Sequence, residues 1–187
     1  MKPRPIEMRI RLQRTSWCLC VFIASAALSS PAQTLRSEQT SQKLAKPLVP
    51  LLKTLRETTK IPLRLPSFIP YSDDPSSQVY SSIIFVNGTS YAIDLSFTPD
   101  CTGGNSCHLG SIRSAEGTAM WSEHGSPVHL VNGLTSYFTP ASCGGAGCTD
   151  AELFWTQDGF SYSVSLKAGS RSELIRMAQS MIRSKYR

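Results

Sequence analysis

The sequence predicts an α+β domain: an antiparallel sheet of about six to seven strands, an N-terminal helix, a C-terminal helix and two disulfide-closed loops. Three Asn-Gly or Asp-Gly pairs lie between apolar runs, at residues 87–88, 132–133 and 158–159. Such pairs favour hairpins, because both residues tolerate the positive φ of a type I′ turn. Helical periodicity occurs only before and after these runs, and helices segregated from an antiparallel sheet are typical of the α+β class.

Residues 1–32 have the composition of a secretory signal peptide. Five Lys or Arg residues precede an apolar run at residues 17–28, and the small residues Ser30-Pro31-Ala32 follow it. The run is shorter than the roughly 20 helical residues that span a bilayer, although an uncleaved anchor is the alternative. We therefore expect a bacterial protein exported to the periplasm or the medium, with residues 33–42 as a flexible leader and residues 43–187 as a single domain.

Charge is unevenly distributed along the chain. The formal net charge is +6, but residues 1–32 contain five basic residues and one acid, so that +2 remains after cleavage. Most of the basic character belongs to the targeting signal, and nucleic acid is not expected as a partner. Residues 33–64 and 167–187 are basic, whereas residues 65–166 carry one basic residue and nine acids. Either basic helices pack beside an acidic sheet, or the basic ends dock on an anionic surface such as lipid headgroups.

Helical periodicity predicts one helix near the start of the domain and one at its end. The first begins near Pro47 and Pro50, since proline suits the first turn of a helix. The second begins at a capping box, Ser170 to Glu173. Between the first helix and the sheet lie the proline-rich residues 61–75, and the apolar residues Ile61, Leu63 and Leu65 alternate at their start, which predicts an extended segment at a sheet edge. The apolar faces are Leu44, Leu48, Leu51, Leu52 and Leu55 for the first helix, and Leu174, Met177, Ala178, Met181 and Ile182 for the second.

Strands are expected on both sides of each turn signal. The last two show the clearest period of two, because Leu153 and Trp155 share one face, as do Tyr162 and Val164 on the next strand. That period is typical of antiparallel strands with one buried face. The expected strands are residues 79–86, 90–98, 108–114, 127–131, 134–139, 151–157 and 160–167.

Two similar stretches contain all the cysteines that follow the signal peptide. Residues 97–107 read FTPDCTGGNSC and residues 138–148 read FTPASCGGAGC. An even number of cysteines in an exported chain predicts disulfides. Four cysteines allow three connectivities, and the local one, Cys101–Cys107 with Cys143–Cys148, is the simplest. The alternative is a four-cysteine zinc site, but its usual spacing of two to four residues fits the second pair only at the limit and not the first.

The glycine pairs of these stretches allow short loops to turn back tightly. Because loops on a rigid scaffold are where binding most often occurs, the candidate binding loops are Gly103, Gly104 and Asn105, and Gly144 and Gly145. A Val-Asn-Gly sequence precedes both stretches, so the two units have arisen either by duplication or by independent use of the same turn chemistry.

No recognisable motif predicts a catalytic residue, a metal site or a cofactor. A triad of His124 or His129 with a serine and Asp150 is not selected by any spacing, and His108 fits the start of a strand. The acids Asp94, Asp100, Asp150 and Glu152 lie near the cysteine loops, but they lack a calcium-loop pattern. An exported hydrolase remains the alternative, and a His, a Ser and an acid that converge in a pocket would favour it.

The final stretch reads LFWTQDGFSYSVSL at residues 153–166 and SRSELIRMAQSMI at residues 170–182. It resembles exported bacterial domains of unknown function, of the kind attached to anti-sigma-factor-like and lipoprotein-carrier-like proteins. The resemblance covers about residues 150–183 and implies an exported α+β domain, without implying any catalytic residue. The expected function is a non-catalytic module that binds an envelope protein, a glycan or an anionic lipid surface, and the sequence does not choose among these partners.

Overall fold

The computed structural model describes residues 43–102, 106–117, 125–145 and 147–186, and a seven-stranded antiparallel sheet forms its centre. The predicted signal peptide and leader lie outside the described residues, so both stay predictions. The strands of the sheet are β1 (Tyr80–Asn87), β2 (Ser90–Ser96), β3 (His108–Glu116), β4 (Ser126–His129), β5 (Thr135–Thr139), β8 (Ala151–Gln157) and β9 (Phe160–Leu166). Two short strands, β6 (Ser142–Gly144) and β7 (Gly147–Thr149), form a separate hairpin. The α+β class and the expected strand number are confirmed.

The sheet consists of two three-stranded ladders joined by one strand. Its order is β1-β2-β3-β9-β8-β5-β4, so that β9 pairs with β3 on one side and with β8 on the other. Each ladder contains one of the two similar sequence units, namely a hairpin, a disulfide loop and a third strand. The strand that joins them comes after both ladders in the chain.

All three predicted hairpins form, but only two of them use positive φ angles at the turn pair. Asn132 and Gly133 have φ of 60° and 71°, and Asp158 and Gly159 have φ of 55° and 83°. The turn at Asn87 and Gly88, the first along the chain, differs from these two. Asn87 belongs to β1, and its side-chain oxygen accepts a hydrogen bond from the Thr89 N–H at 2.9 Å. The type I′ expectation is therefore wrong for this turn, because the asparagine side chain provides its own local turn contact.

The N-terminal helix begins later than its prolines suggested. Residues Lys46–Leu51 form a 3-10 helix that includes both Pro47 and Pro50, and α1 covers only Leu52–Thr58. Proline lacks the N–H that an α-helical turn would use, which agrees with this tighter start. Leu48 and Leu55 are completely buried, so the predicted apolar face is the one that packs on the sheet.

The C-terminal helix α2 (Arg171–Arg183) begins at the predicted capping box. The Ser170 hydroxyl accepts from the Glu173 N–H at 3.3 Å, and the Ser170 N–H donates to the Glu173 carboxylate at 2.8 Å. Both methionines of the expected apolar face are fully buried among the sheet residues. No helix of the described residues is long and apolar enough to cross a membrane.

The extended segment after α1 does not lie at a sheet edge, contrary to the sequence expectation. The two edges are β1 and β4, whereas Leu63 forms an isolated bridge with Tyr186 after α2. Ile61, Leu63 and Leu65 are all buried, because the segment crosses the covered side of the sheet. Alternation in polarity predicted extended backbone correctly, but such a pattern cannot distinguish sheet pairing from packing across a core.

The two faces of the sheet have different compositions. The core face carries Leu153, Trp155, Tyr162 and Val164 beneath α2. We call the opposite face the serine face, because β9 contributes three serines to it, Ser161, Ser163 and Ser165. The neighbouring strands add Ser111, Arg113, Glu152 and Phe154 to the same face. None of the described helices packs against the serine face, as all their buried apolar residues belong to the core cluster.

A register difference separates the two sequence units. Tyr91, which follows the first Asn-Gly pair, is fully buried in the core. In the second unit the extra residue Leu134 shifts the alternation, so that Phe138 and not Tyr137 packs against the core. A shift of one residue exchanges the two faces of a strand. The units therefore share their order of elements but not their core positions.

Candidate functional site at the disulfide end of the sheet

The four cysteines form the two local disulfides. Cys101 is bonded to Cys107, with Cα atoms 5.7 Å apart, and Cys143 is bonded to Cys148, with Cα atoms 4.0 Å apart. The second bond joins directly opposed residues of the β6–β7 hairpin. These bonds confirm the simplest connectivity and leave none of the four sulfurs as a thiolate for zinc.

Both disulfide loops leave the same end of the sheet, which we call the disulfide end. The first loop connects the end of β2 to the start of β3, and the second connects the end of β5 to the start of β8. Because β3 and β8 both run antiparallel to β9, their starts lie together beside the end of β9. The two loops are therefore separated by the width of one strand, although they stand about forty residues apart in sequence.

His108 joins the bases of the two loops. It directly follows Cys107, and its Nε2 lies 2.9 Å from Oδ2 of Asp150, two residues after Cys148. Its Nδ1 lies 3.0 Å from Oδ1 of Asp94 on β2. The imidazole thus bridges both ladders across the end of β9.

The chemistry of hydrogen bonding restricts how His108 can contact both carboxyl groups at once. A carboxylate only accepts hydrogen bonds, so the two contacts of His108 exist together when the ring is protonated or when one carboxyl carries a proton. Burial raises the pKa of the Asp94 carboxyl, while His108 and Arg113 oppose that rise through their charge. The pair of acids and the histidine are half-buried, which makes their contacts stronger than those of an exposed ion pair.

A serine pair extends this network onto the serine face. The Ser165 hydroxyl donates to Asp150 Oδ2 at 2.9 Å, lies 3.0 Å from the Ser111 hydroxyl and accepts from the Ser111 N–H at 3.1 Å. In a catalytic triad, a histidine nitrogen accepts the proton of the nucleophilic serine. Here both nitrogens face carboxylates, and the serine proton points to an acid. A His, a Ser and two acids therefore converge, but they are connected in an order that differs from that of a catalytic triad.

The other histidine candidates do not contribute to this site. His129 ends β4 at the opposite end of the sheet from Asp150. His124 lies outside the described residues. The sequence pattern predicts His108 as the first residue of a strand, and the structure confirms this position. The pattern does not predict that His108 bridges the two ladders. The usable signal was its position next to Cys107, matched by Asp150 just after Cys148.

The loop tips are partly described. Gly144 and Gly145 are exposed, as are all residues of β6 and β7, and Gly145 has a φ of 55° that glycine adopts without strain. Gly103, Gly104 and Asn105 lie outside the described residues, so this half of the predicted binding site has no structural account. The described part of the second loop is a short exposed hairpin held by one disulfide.

Among the described residues, no three His, Cys, Asp or Glu side chains form a group that could hold a metal ion. Two of the four acids that stood near the cysteine loops, Asp94 and Asp150, instead face His108. Asp100 is exposed and Glu152 is half-buried. On the serine face, a cavity of about 150 Å³ lies between Phe85, Phe154 and Arg113.

Comparisons of the chain with protein-family models, with curated proteins and with solved structures find no match. The resemblance of residues 150–183 to exported bacterial domains therefore stays a prediction.

Proposed function

We propose that the protein is an exported, non-catalytic module that binds an envelope component or a protein partner through the loops at the disulfide end of its sheet. The observation that carries this proposal is the hydrogen bond between His108 and Asp150, which fixes the two disulfide loops to each other. Preorganised loops lose little conformational freedom on binding, and affinity increases accordingly.

The exposed hairpin β6–β7 supports the proposal because it has few contacts that would explain it as part of the core. All its described residues are exposed, yet a disulfide joins its two strands. A bond of this kind restrains a loop of a few residues and adds only about 2 kcal/mol to stability. Its stronger effect is on the shape of the loop that meets a partner.

Export is the second part of the proposal, and the disulfides support it. Disulfides persist in oxidising compartments and are rare in the cytosol. Together with the basic, apolar and small segments of residues 1–32, they favour a protein that acts outside the cytoplasm.

The hydrolase alternative has less support, because the converging groups are connected as Ser165, Asp150, His108 and Asp94. In that order no histidine nitrogen can accept the serine proton. Labelling of Ser165 by a fluorophosphonate probe, which reacts with activated serines, would contradict the non-catalytic assignment.

Site-specific crosslinking tests the proposed binding end. A photo-crosslinking amino acid replaces Ala141, which is exposed beside β6, in cells that export the protein. The matched control carries the same amino acid in place of Lys53, which is exposed on α1. We expect a discrete crosslinked product from position 141 that is lost in C143S/C148S. The same product from position 53, or none from position 141, would contradict the proposal.

A further inference from the structure

The basic ends of the chain meet at one cavity at the opposite end of the sheet from the disulfides. Its volume is about 310 Å³, which is at the lower limit of small-molecule sites. Two turns at this end of the sheet mark the position of the cavity. Asp158, in the turn after β8, lines it, and the N–H of Lys60, another lining residue, donates to the Gly88 carbonyl in the first hairpin turn. The cavity is lined by Arg56, Thr59, Lys60, Ile61, Pro62, Leu63, Arg64, Asp158, Lys185 and Tyr186.

Arg64 forms the inner wall of this cavity, and its guanidinium group already has partners within the protein. Its side chain is 1% exposed, and it donates to Asp158 at 2.8 Å and to the Ile182 carbonyl at the end of α2 at 2.8 Å. It also lies 5.8 Å from the centre of the Tyr162 ring. Its charge is therefore largely balanced by Asp158 and by the negative end of the helix.

The other three cations of the cavity are not balanced in this way. Arg56, Lys60 and Lys185 are exposed, and none of them forms an ion pair with another described residue. They come from α1, from the segment after it and from the segment after α2. Folding therefore brings three like charges to one concavity, which costs free energy unless an anion binds there.

The geometry points to a binding site for a phosphate group that carries an apolar substituent. A phosphate monoester has up to two negative charges at neutral pH and three acceptor oxygens, which suits a guanidinium and two ammonium groups better than a single carboxylate does. Ile61, Pro62 and Leu63 provide an apolar wall for the rest of the ligand. This inference does not depend on the proposed role of the disulfide loops, since the two sites lie at opposite ends of the sheet.

The phosphate group can belong to a soluble ester or to a lipid headgroup, and two arms distinguish these sources. Butyl phosphate, titrated by calorimetry into the purified protein, represents the soluble ester. Phosphatidylcholine vesicles with and without phosphatidic acid, tested by cosedimentation, represent the lipid. Butyrate, which has one charge and a similar chain, is the control ligand. Binding in either arm supports the site and identifies the source, and binding in neither arm overturns it.

Matched variants test whether the site is this cavity. K60Q/K185Q removes two cations from the cavity, and K46Q/K167Q removes two exposed cations elsewhere. Both variants lose the same net charge and should keep the wild-type circular dichroism spectrum. We expect the cavity variant to bind at least about tenfold more weakly and the control to remain within about twofold of wild type. Equal weakening by both variants, or binding of butyrate as tight as that of butyl phosphate, would overturn the inference.

Discussion

Single polar residues connect distant parts of this chain at both ends of its sheet. His108 joins the two disulfide loops, and Arg64 joins the segment after α1 to the turn after β8 and to the end of α2. Each of them satisfies partners that are far apart in sequence, so its loss removes more than one contact. Buried or half-buried polar groups left without partners are costly.

The His108–Asp150 contact should be measurable as a coupling energy. In a double-mutant cycle of H108Q and D150N, we expect the double variant to be more stable than the sum of the single losses predicts, by about 1–2 kcal/mol. Urea unfolding monitored by tryptophan fluorescence provides the free energies. The exposed residue His129 gives the control, since H129Q should change stability by less than about 0.5 kcal/mol. Additive losses would show that the contact is not formed in solution.

The raised pKa of Asp94 predicts a pH dependence of stability with a definite sign. A carboxyl with a higher pKa in the folded state binds its proton more tightly there, so its contribution to stability falls as pH rises above its usual pKa of 3.8. The comparison of H108Q with H108Q/D94N isolates this carboxyl from the histidine. We expect the stability of H108Q relative to H108Q/D94N to decrease between about pH 4 and pH 7, measured by urea unfolding. A constant or increasing difference would contradict the prediction.

At the scale of elements, the helices and hairpins depend on short local signals. The N-terminus of α2 is defined by Ser170 and Glu173, which satisfy each other's backbone N–H groups. The hairpins are defined by turn residues that tolerate positive φ or provide a side-chain acceptor. Such local contacts determine where a helix or strand begins, while packing in the core determines which of its faces is buried.

Removal of the cap should destabilise the protein by a predictable amount. For S170A we expect a loss of about 1 kcal/mol, because the Glu173 N–H loses its acceptor at the start of α2. S170D retains an acceptor and should stay within a few tenths of a kcal/mol of wild type. Thermal or urea unfolding measures both. Equal losses for the two variants would assign the effect to something other than capping.

The two disulfides should differ in their effect on global stability. Cys143 and Cys148 lie in an exposed hairpin, whereas Cys107 is half-buried and precedes His108. We expect C143S/C148S to cost about 2 kcal/mol or less. C101S/C107S should cost more, since it also loosens the start of β3. Unfolding of both proteins, and peptide mapping without reduction of the wild type, provide the test. A larger loss for C143S/C148S would reverse this assignment.

The sequence predicts hairpins, helices and disulfides well because each depends on neighbouring residues. The strand at residues 151–157 and the capping box at Ser170 were predicted to the residue. The bridging role of His108 was not predicted, because it depends on which strands lie beside β9, and strand order is a long-range property. Its position next to Cys107, matched by Asp150 after Cys148, was a signal that became meaningful only with that strand order. For the same reason the segment after α1 was placed at a sheet edge, although its alternation reflects burial across the core.

At the scale of the whole molecule, four cations from the two basic ends of the chain line one cavity, namely Arg56, Lys60, Arg64 and Lys185. Two acids of the middle segment, Asp94 and Asp150, lie at the opposite end of the sheet beside His108. That arrangement permits two separate binding surfaces on one small domain.

The proposed export concerns the entire chain and can be tested directly. When the protein is expressed in a bacterium with residues 1–32 intact, we expect it outside the cytoplasm with an N-terminus near Gln33, because the apolar run directs secretion. Fractionation and intact-mass measurement give the result. The variant V21R/I23R, which interrupts the apolar run, should stay in the cytoplasm at full length. Uncleaved wild-type protein in the cytoplasm would contradict the prediction.

The position of β9 between the two ladders affects the order in which the newly made chain can fold. Gly110 pairs with Leu166 and Glu116 pairs with Phe160, so one of the two strands that pair with β3 is translated much later than β3 itself. Until Phe160–Leu166 has emerged from the ribosome, each ladder has an edge with unpaired backbone groups, and α2, which follows β9 in the chain, has not yet been made. Long-range pairing of this kind is slow to form. The complete sheet can therefore form only after nearly the whole chain has been synthesised.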